Sequence, residues 1–129
     1  MIIYYDSKTG NVKRFIEKLK QLTGWQCFQI SDEMEVADTG HLVTYTTKIG
    51  SVPESTKRFM NQYYCFILSV SSSGNMNWGE NFALSADKIA AEYKIPILIK
   101  FELSGLDRDV TNFIQKIKEY GDKKVDTPQ

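Results

Sequence analysis

At 129 residues the chain has the length of a single domain, enough to bury a core without disulfide or metal staples. Its formal net charge is zero and its charged share is 25%, a balance that argues against non-specific binding to nucleic acid or to an anionic membrane. No apolar run is long enough to span a bilayer, and the start, Met1-Ile2-Ile3-Tyr4-Tyr5-Asp6, lacks the basic end and long apolar stretch of a signal peptide, so the expectation is a cytoplasmic protein.

Two periods alternate along the chain. Ile2-Ile3-Tyr4-Tyr5 is a short β-prone run that stops at Asp6-Ser7. Val12, Phe15, Ile16, Leu19 and Leu22 then recur at helical spacing, and Gly24 ends that helix. Residues 25–30 read as a second strand and 31–40 as an acidic loop without periodicity. Leu42-Val43-Thr44-Tyr45 predicts a third strand, and Pro53 opens a short helix carrying Phe59, Met60 and Tyr63. A fourth strand is expected over 65–70, and a helix is marked by Phe82, Ala86, Ile89, Ala90 and Tyr93. A fifth strand follows over 96–101, then a last helix with Val110, Phe113, Ile114 and Ile117. The domain is expected over 1–120, with 121–129 a polar, frayed tail.

Cys27 and Cys65 are far apart, with no CxxC and no histidine nearby, so they read as two buried thiols on strands rather than a zinc site. His41 opens an apolar run and reads as a strand-end residue rather than a base. Lys13-Arg14 and Lys18-Lys20 read as a solvated helix face.

The strands are solidly apolar, as strands covered on both faces are, and strand alternates with helix throughout. The fold class is therefore α/β, a doubly wound five-stranded parallel sheet of order 2-1-3-4-5 with a short second crossover. Ligands of such sheets lie at the carboxyl ends of the strands where the order reverses, which singles out the loops after strands 1, 3 and 4.

The first loop, Ser7-Lys8-Thr9-Gly10-Asn11, has two hydroxyls, a glycine and an asparagine ahead of a helix start, where free N–H groups and the dipole attract phosphate. The same residues also suit a plain N-cap. They form neither GxxxxGK[ST] nor GxGxxG, which disfavours nucleoside triphosphates and dinucleotides. The second loop is Thr46-Thr47-Lys48-Ile49-Gly50-Ser51, and the third is Ser71-Ser72-Ser73-Gly74-Asn75-Met76-Asn77-Trp78-Gly79. Glycines for close approach, amides to read a polar edge and Trp78 as a wall suit a flat ring. Together the three loops point to a mononucleotide such as flavin mononucleotide (FMN).

These residues resemble a known family. The first loop resembles the phosphate loop of flavodoxins, and the wider pattern is similar to the ribonucleotide reductase stimulatory proteins, the NrdI family. That pattern runs through Asp6-Ser7-Lys8-Thr9-Gly10-Asn11-Val12-Lys13-Arg14-Phe15, Thr44-Tyr45-Thr46-Thr47 and Gly50-Ser51-Val52-Pro53-Glu54. It continues in Ser73-Gly74-Asn75-Met76-Asn77-Trp78-Gly79 and Lys100-Phe101-Glu102-Leu103-Ser104-Gly105. The resemblance implies a flavodoxin-like fold, FMN as cofactor, and partnership with the radical-generating, dimanganese small subunit of class Ib ribonucleotide reductase. In that family the reduced flavin meets dioxygen, and superoxide or peroxide passes to the partner's metal site to support formation of a tyrosyl radical. An unidentified reductant must recharge the flavin.

Carried onto this sequence, the resemblance has Ser7, Thr9, Gly10 and Asn11 holding the phosphate, with Lys8 contributing backbone. Thr46, Thr47, Lys48, Ile49 and Gly50 flank one side of the ring, and Ser72, Ser73, Gly74, Asn75, Trp78 and Gly79 line the other. It gives no catalytic acid or base and no metal ligand; the flavin carries the redox chemistry. Two positions depart from the pattern: Lys48 stands where glycine is usual and Met76 where arginine is frequent. Lysine disfavours positive φ but brings a cation near a ring that becomes anionic on full reduction. The segment from Phe101 to Gly105 is expected either to touch ring or partner or simply to pack as a loop.

Three other readings share the sheet. An ordinary flavodoxin would be a one-electron carrier, but that family is typically longer and acidic around its flavin. A phospho-receiver module needs an aspartate at the end of strand 3, where Thr46-Thr47 stands. A binding module that has lost its flavin is the third, and the intact first loop speaks against it.

Overall fold

The structure, a computed structural model, describes residues 1–48 and 50–126, and the side chains of these up to Gly121. Ile49, one of the expected ring neighbours, and residues 127–129 of the expected tail lie outside the described residues.

The strands are β1 (Ile2–Tyr5), β2 (Gln26–Gln29), β3 (Gly40–Tyr45), β4 (Ile67–Gly74) and β5 (Ile97–Glu102). All pair in parallel, in the order β2-β1-β3-β4-β5, as the sequence pattern predicts. The helices are α1 (Asn11–Thr23), α2 (Glu54–Tyr63), α3 (Leu84–Tyr93) and α4 (Asp107–Asp126), with 3-10 turns over Tyr64–Phe66 and Met76–Asn81. The crossover between β2 and β3 holds no helix. No helix among the described residues is long and apolar enough to cross a membrane.

Alternation along each strand divides the core into two layers. Ile3, Val43 and Phe101 face α1 and α4, where Phe15 stacks on Phe101 at 4.1 Å between ring centres and meets Phe113 edge-on at 5.6 Å. Tyr4, Leu42 and Val70 face α2 and α3, packing with Phe59, Met60 and Ile89. α1 buries Val12, Phe15, Ile16 and Leu19, one stripe at helical spacing. Each side chain of that kind contributes about 2 kcal/mol on removal from water, so the stripe decides how α1 docks. Gly24, at φ 71°, closes the helix by donating its N–H to the Lys20 carbonyl.

Several local expectations are corrected. β4 begins at Ile67; Cys65 and Phe66 belong to the preceding 3-10 turn, and Cys65 is exposed rather than buried on a strand. Cys27 is on β2 but only half-buried, because β2 is the sheet edge. Phe82 precedes α3, which starts only at Leu84. α4 continues through Gly121 to Asp126, where a frayed tail is expected from 121.

His41 sits within β3, fully buried, rather than at a strand end. Its Nδ1 lies 2.6 Å from the Ser69 hydroxyl, and its ring meets Tyr120 edge-on. That is a packed core histidine.

Candidate functional site

β1 ends at Tyr5, and Gly10 turns the chain into α1 at φ 95°, a left-handed conformation that suits glycine. Gly10, the N-cap residue, has no side chain to cap the helix, and the first turn carries no acid. Ser7 Oγ accepts the Lys13 N–H at 3.1 Å, and the Gly10 carbonyl accepts the Arg14 N–H at 2.9 Å. The N–H groups of Thr9, Gly10, Asn11 and Val12 meet no acceptor among the described residues. Donors without acceptors at the positive end of a helix are chemically suited to an anion.

Asn11 is held from outside the loop. Its Oδ1 accepts Arg14 Nη2 at 2.6 Å and the Ser104 hydroxyl at 2.9 Å, while its Nδ2 faces Thr9 Oγ1 at 3.4 Å. Arg14 Nε also donates to Ser104 Oγ at 2.9 Å, and Lys18 donates to the Gly105 carbonyl. Arg14 is thus engaged with the loop rather than being part of an idle solvated face. The segment after β5 closes on the first loop instead of standing apart.

The second loop folds back on itself. Thr47 and Ser51 exchange backbone hydrogen bonds at 2.9 Å, with Lys48 at φ 50° and Gly50 at φ 84° in the tip. Lysine in that region carries strain of about 1–2 kcal/mol, which explains why glycine suits this position. Thr46 is buried, and its hydroxyl accepts the Ser85 N–H at 3.1 Å and lies 3.3 Å from Ser72 Oγ. It fastens the start of α3 to the sheet.

In the third loop, Ser72 and Ser73 are buried and their hydroxyls are committed to backbone, Ser72 to the Ser73 carbonyl and Ser73 to the Leu103 carbonyl. A Cβ on Gly74 would lie 2.4 Å from the Ala83 nitrogen, so that glycine serves helix-to-sheet contact. Asn75 Oδ1 accepts the Asn77 N–H and caps the 3-10 turn. Trp78 is partly exposed, and Gly79 has φ 55° with open space where a side chain would stand.

The loops frame two clefts. One, of about 660 Å³, brings Ser7 and Lys8 of the first loop together with Thr47 and Lys48 of the second, against Tyr45 and Asp6. Another, of about 560 Å³, brings Asn11 together with Met76, Leu103 and Ser104. Trp78 lines neither of them. A more apolar groove of about 490 Å³ between α2 and α3 adjoins the first cleft but presents none of the expected site residues.

Asp6 is 6% exposed at the end of β1, and its Oδ2 accepts the hydroxyls of Ser55 and Thr56 in the first turn of α2. Its charge therefore faces a helix N-terminus, where it is favourable. Burial raises the Tyr45 pKa above the ordinary phenol value; Asp6 adds to the rise and the Ser55 hydrogen bond opposes it. Tyr45 stays a neutral phenol in the cleft wall. Among the described residues no three of His, Cys, Asp and Glu group as metal ligands.

In the sequence Tyr45 carries no site role, and Ser104 stands out only as part of the segment 101–105. A tyrosine closing a buried strand looks like core, and a serine 93 positions from Asn11 gives no local signal.

The chain matches the family described as NrdI flavodoxin-like over residues 3–115. It belongs to the NrdI flavodoxin-like family. Among curated members it is similar to Protein NrdI of Bacillus licheniformis, 44% identical over 116 residues that cover 90% of this chain and 86% of that protein. It is 41% identical to the SPbeta prophage-derived protein NrdI of Bacillus subtilis, over 88% of each chain. With Protein NrdI of Macrococcus caseolyticus it shares 39% over 119 residues, 92% of this chain and 90% of that one. The NrdI match includes the first, second and third loops and the segment after β5.

Proposed function

We propose that this NrdI-family protein binds FMN and activates the dimanganese form of class Ib ribonucleotide reductase by supplying superoxide or peroxide to its radical-generating small subunit. The observation that supports this best is the set of four N–H groups of residues 9–12 without acceptors, placed after β1 where the strand order reverses, in a chain of this family. Bound there, FMN supplies the redox chemistry between a reductant and dioxygen.

The chain's own residues divide into two sets. Thr9, Gly10, Asn11 and Val12 would hold the phosphate through backbone, helped by the Thr9 hydroxyl and the Asn11 amide. Lys8 and Lys13 are exposed nearby, with no acid in the first turn of α1 to oppose a dianion. Thr47, Lys48 and Gly50 would flank the ring on one side and Asn75, Trp78 and Gly79 on the other. Thr46, Ser72, Ser73 and Gly74 would support those loops from within the sheet, because their side-chain positions are buried and committed. No side chain is assigned as an acid or base. The metal belongs to the partner, and the reading carries a cytoplasmic location.

The test is direct. The FMN-loaded protein is reduced without oxygen, mixed with the manganese(II)-loaded small subunit, and exposed to dioxygen while the tyrosyl radical is followed by electron paramagnetic resonance. Radical formation that requires this protein supports the reading. Flavin that only passes single electrons to other redox proteins, with no radical, would instead make it an ordinary one-electron carrier.

A further inference from the structure

We propose that Arg14 is a positioning residue that makes the first loop selective for a phosphorylated flavin, by fixing which way the Asn11 carboxamide faces. The inference rests on the flavin reading above and goes beyond it.

The Asn11 side chain has a donor end and an acceptor end, and only the donor end helps bind an anion. Turned by half a rotation, the same side chain would present oxygen to phosphate oxygen. Two groups meet its Oδ1, Ser104 Oγ at 2.9 Å and Arg14 Nη2 at 2.6 Å. Serine cannot decide the orientation, because a hydroxyl donates or accepts with equal ease. Arginine can, because a guanidinium only donates and therefore demands the oxygen. With oxygen held there, Nδ2 must face the loop, and it does, 3.4 Å from Thr9 Oγ1.

Arg14 is itself kept in place. Its Nε donates to Ser104 at 2.9 Å, so the planar guanidinium bridges Asn11 and Ser104 with two different nitrogens. Nη1 has no acceptor among the described residues and occupies the space over Gly10, where a Cβ would come within 2.8 Å of it. Glycine at position 10 thus serves two ends, the left-handed turn and room for this guanidinium. A lysine ammonium carries the same charge but has no planar fork to span both partners.

The experiment compares FMN with riboflavin, which has the same ring and no phosphate. Dissociation constants are measured by flavin fluorescence quenching for the wild type, Arg14→Ala and Arg14→Lys. The wild type should prefer FMN. Arg14→Ala should weaken FMN about tenfold, the loss of one charge-assisted contact, and leave riboflavin within about twofold. Arg14→Lys should restore only a minor part of the preference. An unchanged preference in Arg14→Ala would overturn the proposal. So would equal weakening of both flavins, the mark of general damage to the fold, or full restoration by lysine, which would make charge alone sufficient. A wild type that binds neither flavin would remove the flavin reading as well. One that binds both equally would leave that reading standing and remove only this inference.

Discussion

Asp6 accepts the hydroxyl of Thr56 at 2.6 Å, and this contact ties the end of β1 to the first turn of α2. Thr56 is fully buried and also lies 2.7 Å from the Thr44 hydroxyl on β3, so one side chain links three elements beside the cleft. A hydrogen bond to a charged group is worth about 1.5–3 kcal/mol. Thr56→Val keeps the shape and removes the hydroxyl, and should lower unfolding free energy by about 2 kcal/mol in urea denaturation. Thr56→Ser keeps the hydroxyl and should lose only about 1 kcal/mol, for the missing methyl group. Equal losses for the two variants would contradict this assignment.

Lys48 has φ 50° in the tip of the second loop. Relief of that strain in Lys48→Gly is worth about 1–2 kcal/mol, while the extra freedom of glycine in the unfolded chain costs about 0.4–1 kcal/mol. The variant should be more stable by roughly 0.5 kcal/mol, seen as a higher denaturation midpoint. With FMN bound, losing the cation should also make the fully reduced, anionic flavin harder to reach, so the measured potential should move to a more negative value. A potential that does not move would remove Lys48 from the tuning of the flavin.

Gly74 and Gly79 are both in the third loop but are glycines for different reasons. A methyl on Gly74 would meet backbone at 2.4 Å, whereas Gly79 has φ 55° and free space. Gly74→Ala should cost about 3 kcal/mol, from overpacking against a rigid neighbour. Gly79→Ala should cost about 2 kcal/mol, because φ 55° with ψ −122° is a backbone conformation that L side chains disfavour. Thermal unfolding of the two variants side by side checks the order, and a reversed order would contradict the packing described.

The alkaline limit of stability follows from burial. Desolvation raises the pKa of Cys27 above its usual 9.0, with Lys20 and the N-terminus opposing, and raises Tyr4, Tyr5, Tyr45 and Tyr93 above 10.0. In each case the folded state favours the neutral form, so the unfolded chain gives up its protons first. Between the unfolded and folded pKa values the unfolded state binds fewer protons, and stability falls as pH rises. Urea midpoints should decline as pH rises through the thiol and phenol ranges. A midpoint that stays level from about pH 8 to about pH 11 would contradict the burial of these groups.

The fold was legible because its signals are local. The stripe Val12, Phe15, Ile16 and Leu19 specifies α1, and solidly apolar strands specify a sheet covered on both faces. Element ends were less legible, because tertiary contacts set them. Cys65 and Phe66 are apolar enough for a strand, yet the chain is still turning there after α2. Phe82 has helical spacing to Ala86, but Ala83 at φ 48° delays α3 to Leu84.

In the three loops, residue types alone do not show what each side chain does there. Thr46, Ser72 and Ser73 look like ligand donors in sequence, and the structure commits their hydroxyls to the protein itself. Arg14 looks like surface charge, and its partner Ser104 is 90 residues away. Long-range pairing of that kind leaves no periodicity to read.

Retention of FMN tests the central claim most directly. The purified protein is mixed with excess FMN, passed through gel filtration, and its visible spectrum recorded. Oxidised-flavin bands should travel with the protein, close to one FMN per chain. A colourless protein peak, with all the flavin in the small-molecule fraction, would contradict it.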